Sequence, residues 1–497
     1  MKDLNDSEST RIKIELPYLV RLGVVVSIFG LVFPVYGIPL GWFKITFFRM
    51  GYLILLPLAM FYNPRLRLPT RKSSLIMRLF IMLASWRLLS LIILVVAKPY
   101  GTPKIYGTQL IWFVEGILFL LSILLIFSRF RKIMDFYLHA LFYAGFASIG
   151  VMAIQFLLSR IGILWTLPLS TSAFGQSQDF IMQYGYPLPY GRVVGAFADP
   201  NMSGTMCALF FAAFFPLVIF EINARSIKRR FLVAAILVLL IAVVGTGSRQ
   251  ALLAILISFG AVMFIGKKRG ILVTIIRLAP LILLSTFLFY SGKYYFAPDR
   301  NIITRGSLNN VLDRLEDTET GNLTIEDMIG LRLRYIQETL PYITFETLIV
   351  GMGEGMTQAN PIGVTAAISS IHNAYLVTLL ETSLIGLIIL LSLSFVLLYF
   401  PYKVLRRKMD ESRAVNMAIF CISMTWVFLL FVNWAQLNQS ISYLYLALAL
   451  MWLSQKSNPS FGRNWRKRAF EQKKDNGCIM PPGNGRHSYV SAAIAKL

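Results

Sequence analysis

Apolar residues in this chain come in runs of roughly 20, the length that crosses a bilayer as a helix, with short polar stretches between them. The runs predict transmembrane helices near 19–40, 42–62, 77–97, 107–128, 133–159, 199–221, 230–247, 249–266, 271–291, 373–400, 414–433 and 437–454. Pro34, Pro39 and Pro57 interrupt the first two, a break that a bundle tolerates where neighbouring helices satisfy the freed backbone groups. Two polar stretches are too long to be turns. One, at 160–198, is rich in Gly, Pro and Tyr through Tyr184-Gly185-Tyr186-Pro187-Leu188-Pro189-Tyr190-Gly191, a turn-rich aromatic surface. The other, at 292–371, is longer than a connector needs to be. Within it Ile329, Leu333, Ile336, Leu340 and Ile343 recur at helical spacing, which predicts a surface helix over Met328 to Thr347 lying flat on the membrane. Gly351-Met352-Gly353-Glu354-Gly355 closes it with a turn.

Composition and charge turn this pattern into a class and an orientation. The chain is 56% hydrophobic with mean hydropathy +0.65, and 14% of its residues are charged, against about 25% in a soluble domain. The net charge of +24 is not a nucleic-acid footprint, because the basic residues sit in short clusters between apolar runs. Those clusters are Arg65/Arg67/Arg71/Lys72, Arg129/Arg131/Lys132, Arg225/Lys228/Arg229/Arg230, Lys267/Lys268/Arg269 and Lys403/Arg406/Arg407/Lys408. With about twelve spans they all fall on one side, which the positive-inside rule makes the cytoplasm, together with both termini. The expectation is an all-α polytopic membrane protein. It has a cytoplasmic N-terminus (1–18), nine transmembrane helices over 19–291 with an outer loop at 160–198, a large extracytoplasmic loop at 292–371, three further helices over 372–455, and a basic, disordered tail at 456–497. Met1 to Pro17 is polar and reads as no cleavable signal. Cys207, Cys421 and Cys478 are scattered and suggest neither disulfides nor a zinc site.

Candidate chemistry collects on the outer side. Arg192 follows the aromatic loop, Arg249 lies between two spans in Gly247-Ser248-Arg249-Gln250, and Arg332 and Arg334 begin the surface helix. A guanidinium stays charged and grips phosphate oxygens with a planar fork, which suits a lipid-linked pyrophosphate. Each of these arginines could instead anchor a helix end at the interface, although Arg249 lies where the positive-inside rule does not call for it. His372, between the long loop and the next span, can exchange a proton near neutral pH, as a general base must, or can be structural. Glu381, nine residues further on, lies within the bundle and needs a partner or a wet cavity. It either supports the site or pairs with a span arginine, Arg87 or Arg277. Asp313, Glu316, Asp317 and Glu319 lack EF-hand spacing and read as a solvated charge run. The glycines at 351–355 follow no strand and precede no Lys-Ser/Thr pair, so they are not a nucleotide loop.

Four stretches carry a resemblance. Arg192-Val193-Val194-Gly195-Ala196-Phe197-Ala198-Asp199-Pro200-Asn201 is similar to the "RxxGxFxxPN" signature of the O-antigen ligase/polymerase family. Ser248-Arg249-Gln250-Ala251 resembles its "SRxA" turn, Arg332 to Gly353 its arginine-led helix ending in "GxG", and His372-Asn373 with Glu381 and Gly386 its "HN…ExGxxG" helix. Order and topology agree over roughly 190–390. Ser383 stands where the family usually has glycine, and Asp199 departs from the signature. The resemblance implies a GT-C-like, metal-independent, inverting glycosyltransferase that needs no cofactor and acts on undecaprenyl-pyrophosphate-linked glycans outside the cytoplasmic membrane. It would be either a polymerase of O-antigen, capsule or exopolysaccharide repeat units, which is favoured, or a ligase to lipid A-core. On that reading His372 and Arg249 are catalytic, Arg192, Arg332, Arg334, Asn201, Asn373 and Tyr190 bind substrate, and Glu381 supports them. Partners would be the lipid-linked glycan, the bilayer, and a chain-length regulator and flippase of the same pathway. A divalent ion on the long loop's carboxylates is the competing account of the charge. A transporter of lipid-linked glycans or an assembly scaffold are the other classes; spread intramembrane charge and internal repeats would favour the transporter, and neither is present in the sequence.

Overall fold

In lipid only a helix or a closed barrel satisfies every backbone group, so long apolar runs become helices. The computed structural model describes residues 16–30, 32, 37–40, 43–97, 103–160, 193, 195, 197, 200–220, 227, 229–246, 248–266, 339–353, 373–406, 413–432, 437 and 439–455. Its elements are α1 (Tyr18–Phe29), strands β1 (Gly37–Leu40) and β2 (Phe43–Thr46), α2 (Phe47–Tyr62), α3 (Arg71–Ala97), α4 (Pro103–Arg129), α5 (Ile133–Arg160), α6 (Pro200–Ile219), α7 (Arg229–Thr246) and α8 (Arg249–Gly266). A 3₁₀ turn (Leu340–Tyr342) and α9 (Phe345–Ile349) follow, then α10 (Ala374–Arg406), α11 (Arg413–Val432) and α12 (Ser440–Gln455). Among the described residues six helices are long and apolar enough to cross a membrane: Arg71–Ile93, Leu110–Arg129, Ile133–Leu158, Asn201–Ile219, Ala374–Arg406 and Arg413–Val432. The chain is an all-α polytopic membrane protein. The predicted span at 271–291, most of the outer loop at 160–198 and the tail beyond Gln455 lie outside the described residues.

The first two predicted spans are corrected. The run at 19–40 is helical only to Phe29, and the run at 42–62 only from Phe47. Between them β1 and β2 pair antiparallel, Gly37 opposite Thr46 and Leu40 opposite Phe43. Pro34 and Pro39 offer no N–H to a helix, and Pro39 is tolerated on a strand with one free edge. Thr46 then caps α2, its hydroxyl accepting the Arg49 N–H at 3.4 Å. With 12 and 16 residues, α1 and α2 rise about 18 and 24 Å, both short of the ~30 Å hydrocarbon core. They pack closely because Gly23 faces Leu55 and Gly51 faces Ser27, with no room for a Cβ at either glycine. Arg49 Nε and Glu115 Oε1 form a buried ion pair at 2.7 Å that ties α2 to α4. Each charge there makes the other tolerable in an apolar interior.

The bundle is built around α6. Almost every residue from Ser203 to Ile219 is buried, and α7, α8 and α11 pack around it. Rings do much of the filling: Phe142 of α5 meets Phe210 and Phe214 of α6 at centroid distances of 5.9 and 5.2 Å. α10 packs on α11 and α3.

Two further expectations change. The surface helix does not run unbroken to Thr347. Ile343 leaves helical geometry, and Thr344 starts a new helix in a reciprocal capping box with Thr347; residues 328–338 lie outside the described residues. The span at 373–400 is not one straight helix either. Ser383 has φ 71 and ψ 179, a region almost reserved for glycine, and divides α10 into 374–382 and 384–406. The Ser383 hydroxyl accepts the Ile385 N–H at 3.3 Å and restarts the helix. Tyr375 Oη lies 2.8 Å from Ser394 Oγ, although residues 19 apart on a straight helix would stand roughly 28 Å apart. The first half therefore folds back toward the second. Because the strain exceeds what a serine cap returns over a glycine cap, Ser383→Gly is expected to stabilise the protein by about 1 kcal/mol. Thermal unfolding of the purified protein in detergent checks this, and an unchanged or lower midpoint contradicts it.

Candidate functional site

Two of the sequence motifs meet at the start of α6. The segment before the helix is held by alternate residues: Val193 and Phe197 are buried, and the Val193 N–H donates to the Gly245 carbonyl at 2.8 Å. Gly195 lies between them at φ +63, where a Cβ would stand 2.7 Å from Met152 Cγ. The buried side chain of Gln155 brackets this glycine, its Oε1 accepting the Gly195 N–H at 2.8 Å and its Nε2 donating to the Gly195 carbonyl at 3.2 Å. This explains the glycine and the aromatic of the "RxxGxF" stretch as backbone anchors. Arg192 lies outside the described residues but is bonded to the anchored Val193.

The turn between α7 and α8 closes on the same place. Ser248 Oγ donates to Asn201 Oδ1 at 3.4 Å, and Gly204 lies so close that a Cβ would stand 2.6 Å from Ser248 Cβ and 2.8 Å from Ala251 Cβ. Ser248 and Ala251 are thus the small residues that let α8 approach α6. Arg249 is the first residue of α8 and so stands at the positive end of an 18-residue helix. Beside it Gln250 is buried, and its Nε2 has no hydrogen-bond partner among the described residues. A helix N-terminus with a spare buried donor beside it is a place where negative charge is favoured.

The second junction joins the "GxG" turn to the break in α10. Asn373 caps the first half of α10, with Oδ1 accepting the N–H groups of Tyr375 and Leu376 at 2.9 and 3.0 Å. At the other end of that half, the break frees carbonyls that a continuous helix would have used. The N–H of Met352 donates to the Leu380 carbonyl at 2.6 Å, and that of Gly353 to the Glu381 carbonyl at 3.0 Å. Gly351, at φ +80, lies where a Cβ would be 2.5 Å from the Glu381 carbonyl oxygen. Ser90 Oγ also donates to the Glu381 carbonyl, at 2.6 Å, and Trp86 Nε1 donates to that of Thr382 at 2.5 Å. The Glu381 residue is buried. Arg87, weighed as its partner, lies on the same helix as Trp86 and Ser90, and its guanidinium stands 4.7 Å over the Phe113 ring. Arg277, Arg332, Arg334, Tyr190 and His372 lie outside the described residues, His372 being bonded to Asn373. Among the described residues no cluster of three or more His, Cys, Asp or Glu is placed to hold a metal ion.

The sequence did not single out Gln155, Trp86, Ser90 or Gln250. The one signal for them was a polar or indole group inside an apolar run, where a buried donor needs a partner.

The described residues thus form a multi-pass bundle in which two motif turns meet beside an arginine-led helix. Residues 232–391 match the family model described as O-antigen ligase. The match covers Arg249, Arg332, Arg334, the "GxG" turn, His372, Glu381 and Ser383, while the Arg192–Asn201 stretch precedes it. No curated protein matches the chain.

Proposed function

We propose that this protein is a glycosyltransferase that joins lipid-pyrophosphate-linked oligosaccharide repeat units at the outer face of the bacterial cytoplasmic membrane. It is thus a polymerase of O-antigen, capsule or exopolysaccharide, with lipid A-core as the alternative acceptor. The observation that carries this reading is the meeting of Asn201 with Ser248, which joins the α6 motif to the first turn of α8, where Arg249 stands. Arg249, Arg192 and Arg332 bind the pyrophosphate, with the α8 N-terminus and Gln250 Nε2 as further donors. Asn201 orders the turn, while Arg334, Tyr190 and Asn373 complete the substrate surface.

The acceptor hydroxyl oxygen attacks the anomeric carbon of the donor sugar from the face opposite the lipid pyrophosphate. The carbon–oxygen bond to the pyrophosphate breaks, and its electron pair leaves with the lipid carrier. His372 takes the hydroxyl proton as general base, and the configuration inverts. Negative charge grows on the leaving phosphate, and the guanidinium groups stabilise it as it forms. The one-sided basic clusters support an outward-facing loop at 292–371 and cytoplasmic termini.

Reconstituted protein given purified lipid-linked repeat units should produce a ladder of longer glycans without lipid A-core present. An impermeant thiol reagent on Asn309→Cys in the same vesicles reports which side the loop occupies. In a second reaction with lipid A-core added, transfer to it with no ladder in either reaction would make the protein a ligase, and no product in either would sink the proposal.

A further inference from the structure

The break in α10 is held by donors for which the transfer reaction has given no use. A straight α10 would pair the Leu380, Glu381 and Thr382 carbonyls within the helix and relieve the backbone at Ser383, as the uninterrupted apolar run at 373–400 leads one to expect. The bent form therefore depends on donors from outside the helix. The turn at 351–353 supplies two, the N–H groups of Met352 and Gly353. α3 supplies the others: Trp86 Nε1 to Thr382 and Ser90 Oγ to Glu381, from residues four apart and so on one face of that helix. Gly386 leaves room first for the Thr382 side chain, whose hydroxyl a Cβ there would strike, and then for the indole, with Trp86 Cδ1 3.2 Å from that Cβ. The bend sets where the first half of α10 begins. Folded back, Tyr375 reaches Ser394, and Asn373 caps the start of the segment beside it. Straightened, a nine-residue helix would carry that start away by ~13 Å or more.

We infer that Trp86 and Ser90 are positioning residues for glycan transfer. Their N–H and O–H hold the 374–382 helix folded back, and with it the place of Asn373, the next residue in sequence after His372. Neither side chain touches substrate. The inference rests on the proposed function for its effect on transfer, and on the geometry alone for its effect on the bend.

Nitroxide labels on Leu379→Cys and Tyr399→Cys, with Cys478→Ser, separate the two. In the otherwise unchanged protein their distance should be well below the roughly 30 Å of a straight helix. Trp86→Phe keeps a ring and removes the N–H, and Ser90→Ala removes the hydroxyl; the pair together should shift the distance toward that longer value. Unlabelled, each single variant should lower kcat about tenfold with KM for the lipid-linked unit unchanged, and Ser90→Thr should restore it. If the double variant does not fold, the single variants and Ser90→Thr still decide. An unchanged distance, or a lengthened one with full kcat, overturns the inference. A parent protein that makes no glycan product sinks the proposed function instead, and the distance then still reports whether the two donors hold the bend.

Discussion

Arg249→Lys is expected to lose about a hundredfold in polymer formation. Lysine keeps the positive charge at the start of α8 but not the planar fork that takes two phosphate oxygens at once. Removing one contact made in the transition state typically costs ~3 kcal/mol, which is that hundredfold. Arg249→Ala should be only modestly worse, because the geometry is lost in both. An interface anchor behaves differently, since lysine reaches the headgroup region as well as arginine does. Ser248, Ala251 and Gly204 already account for the packing of this turn, so the variants should leave thermal stability nearly unchanged. The measurement is initial rate on purified lipid-linked repeat units, run with and without EDTA. Near-normal turnover by the lysine variant removes Arg249 from the donor site, and loss of parent activity in EDTA favours the divalent-ion account.

His372→Ala is expected to cost about a hundredfold or more, the lower end of what a positioned general base contributes. The protein should still accumulate in the membrane, because the cap of the first half of α10 belongs to Asn373 and the docking of that half to Ala374, Val377 and Leu380. A scaffold would tolerate the substitution, and a structural histidine would lower protein level along with product. Quantifying membrane protein and glycan ladder in the same cells distinguishes these. Product at parental levels would take His372 out of the reaction.

The two junctions bear on why the motif residues are spaced as they are. Gly195, Gly351 and the position held by Ser383 all adopt positive φ, and each lies where a neighbouring group approaches closely or a helix must end. In the sequence they read as a signature without a reason. Their reason is tertiary: Gly351 presents Met352 and Gly353 to carbonyls about thirty residues further along the chain.

The sequence by itself determined the class, because a bilayer offers backbone groups no partner and leaves helices as the way to cross. It determined most helix positions for the same reason, and the order of the four motif stretches with it. It could not determine the hairpin at 37–46, since the apolarity of that run is the same whether helix or strand buries it. The bend at Ser383 was equally hidden: Leu380, Glu381 and Thr382 read as mid-helix, and the donors that release them come from α3 and from the turn at 351–353. The buried Arg49–Glu115 pair and the hold of Gln155 on Gly195 join residues that are distant in the chain. Helix formation is local and was legible. Which helix end meets which turn depends on where small residues let backbones approach, and only the folded bundle decided that.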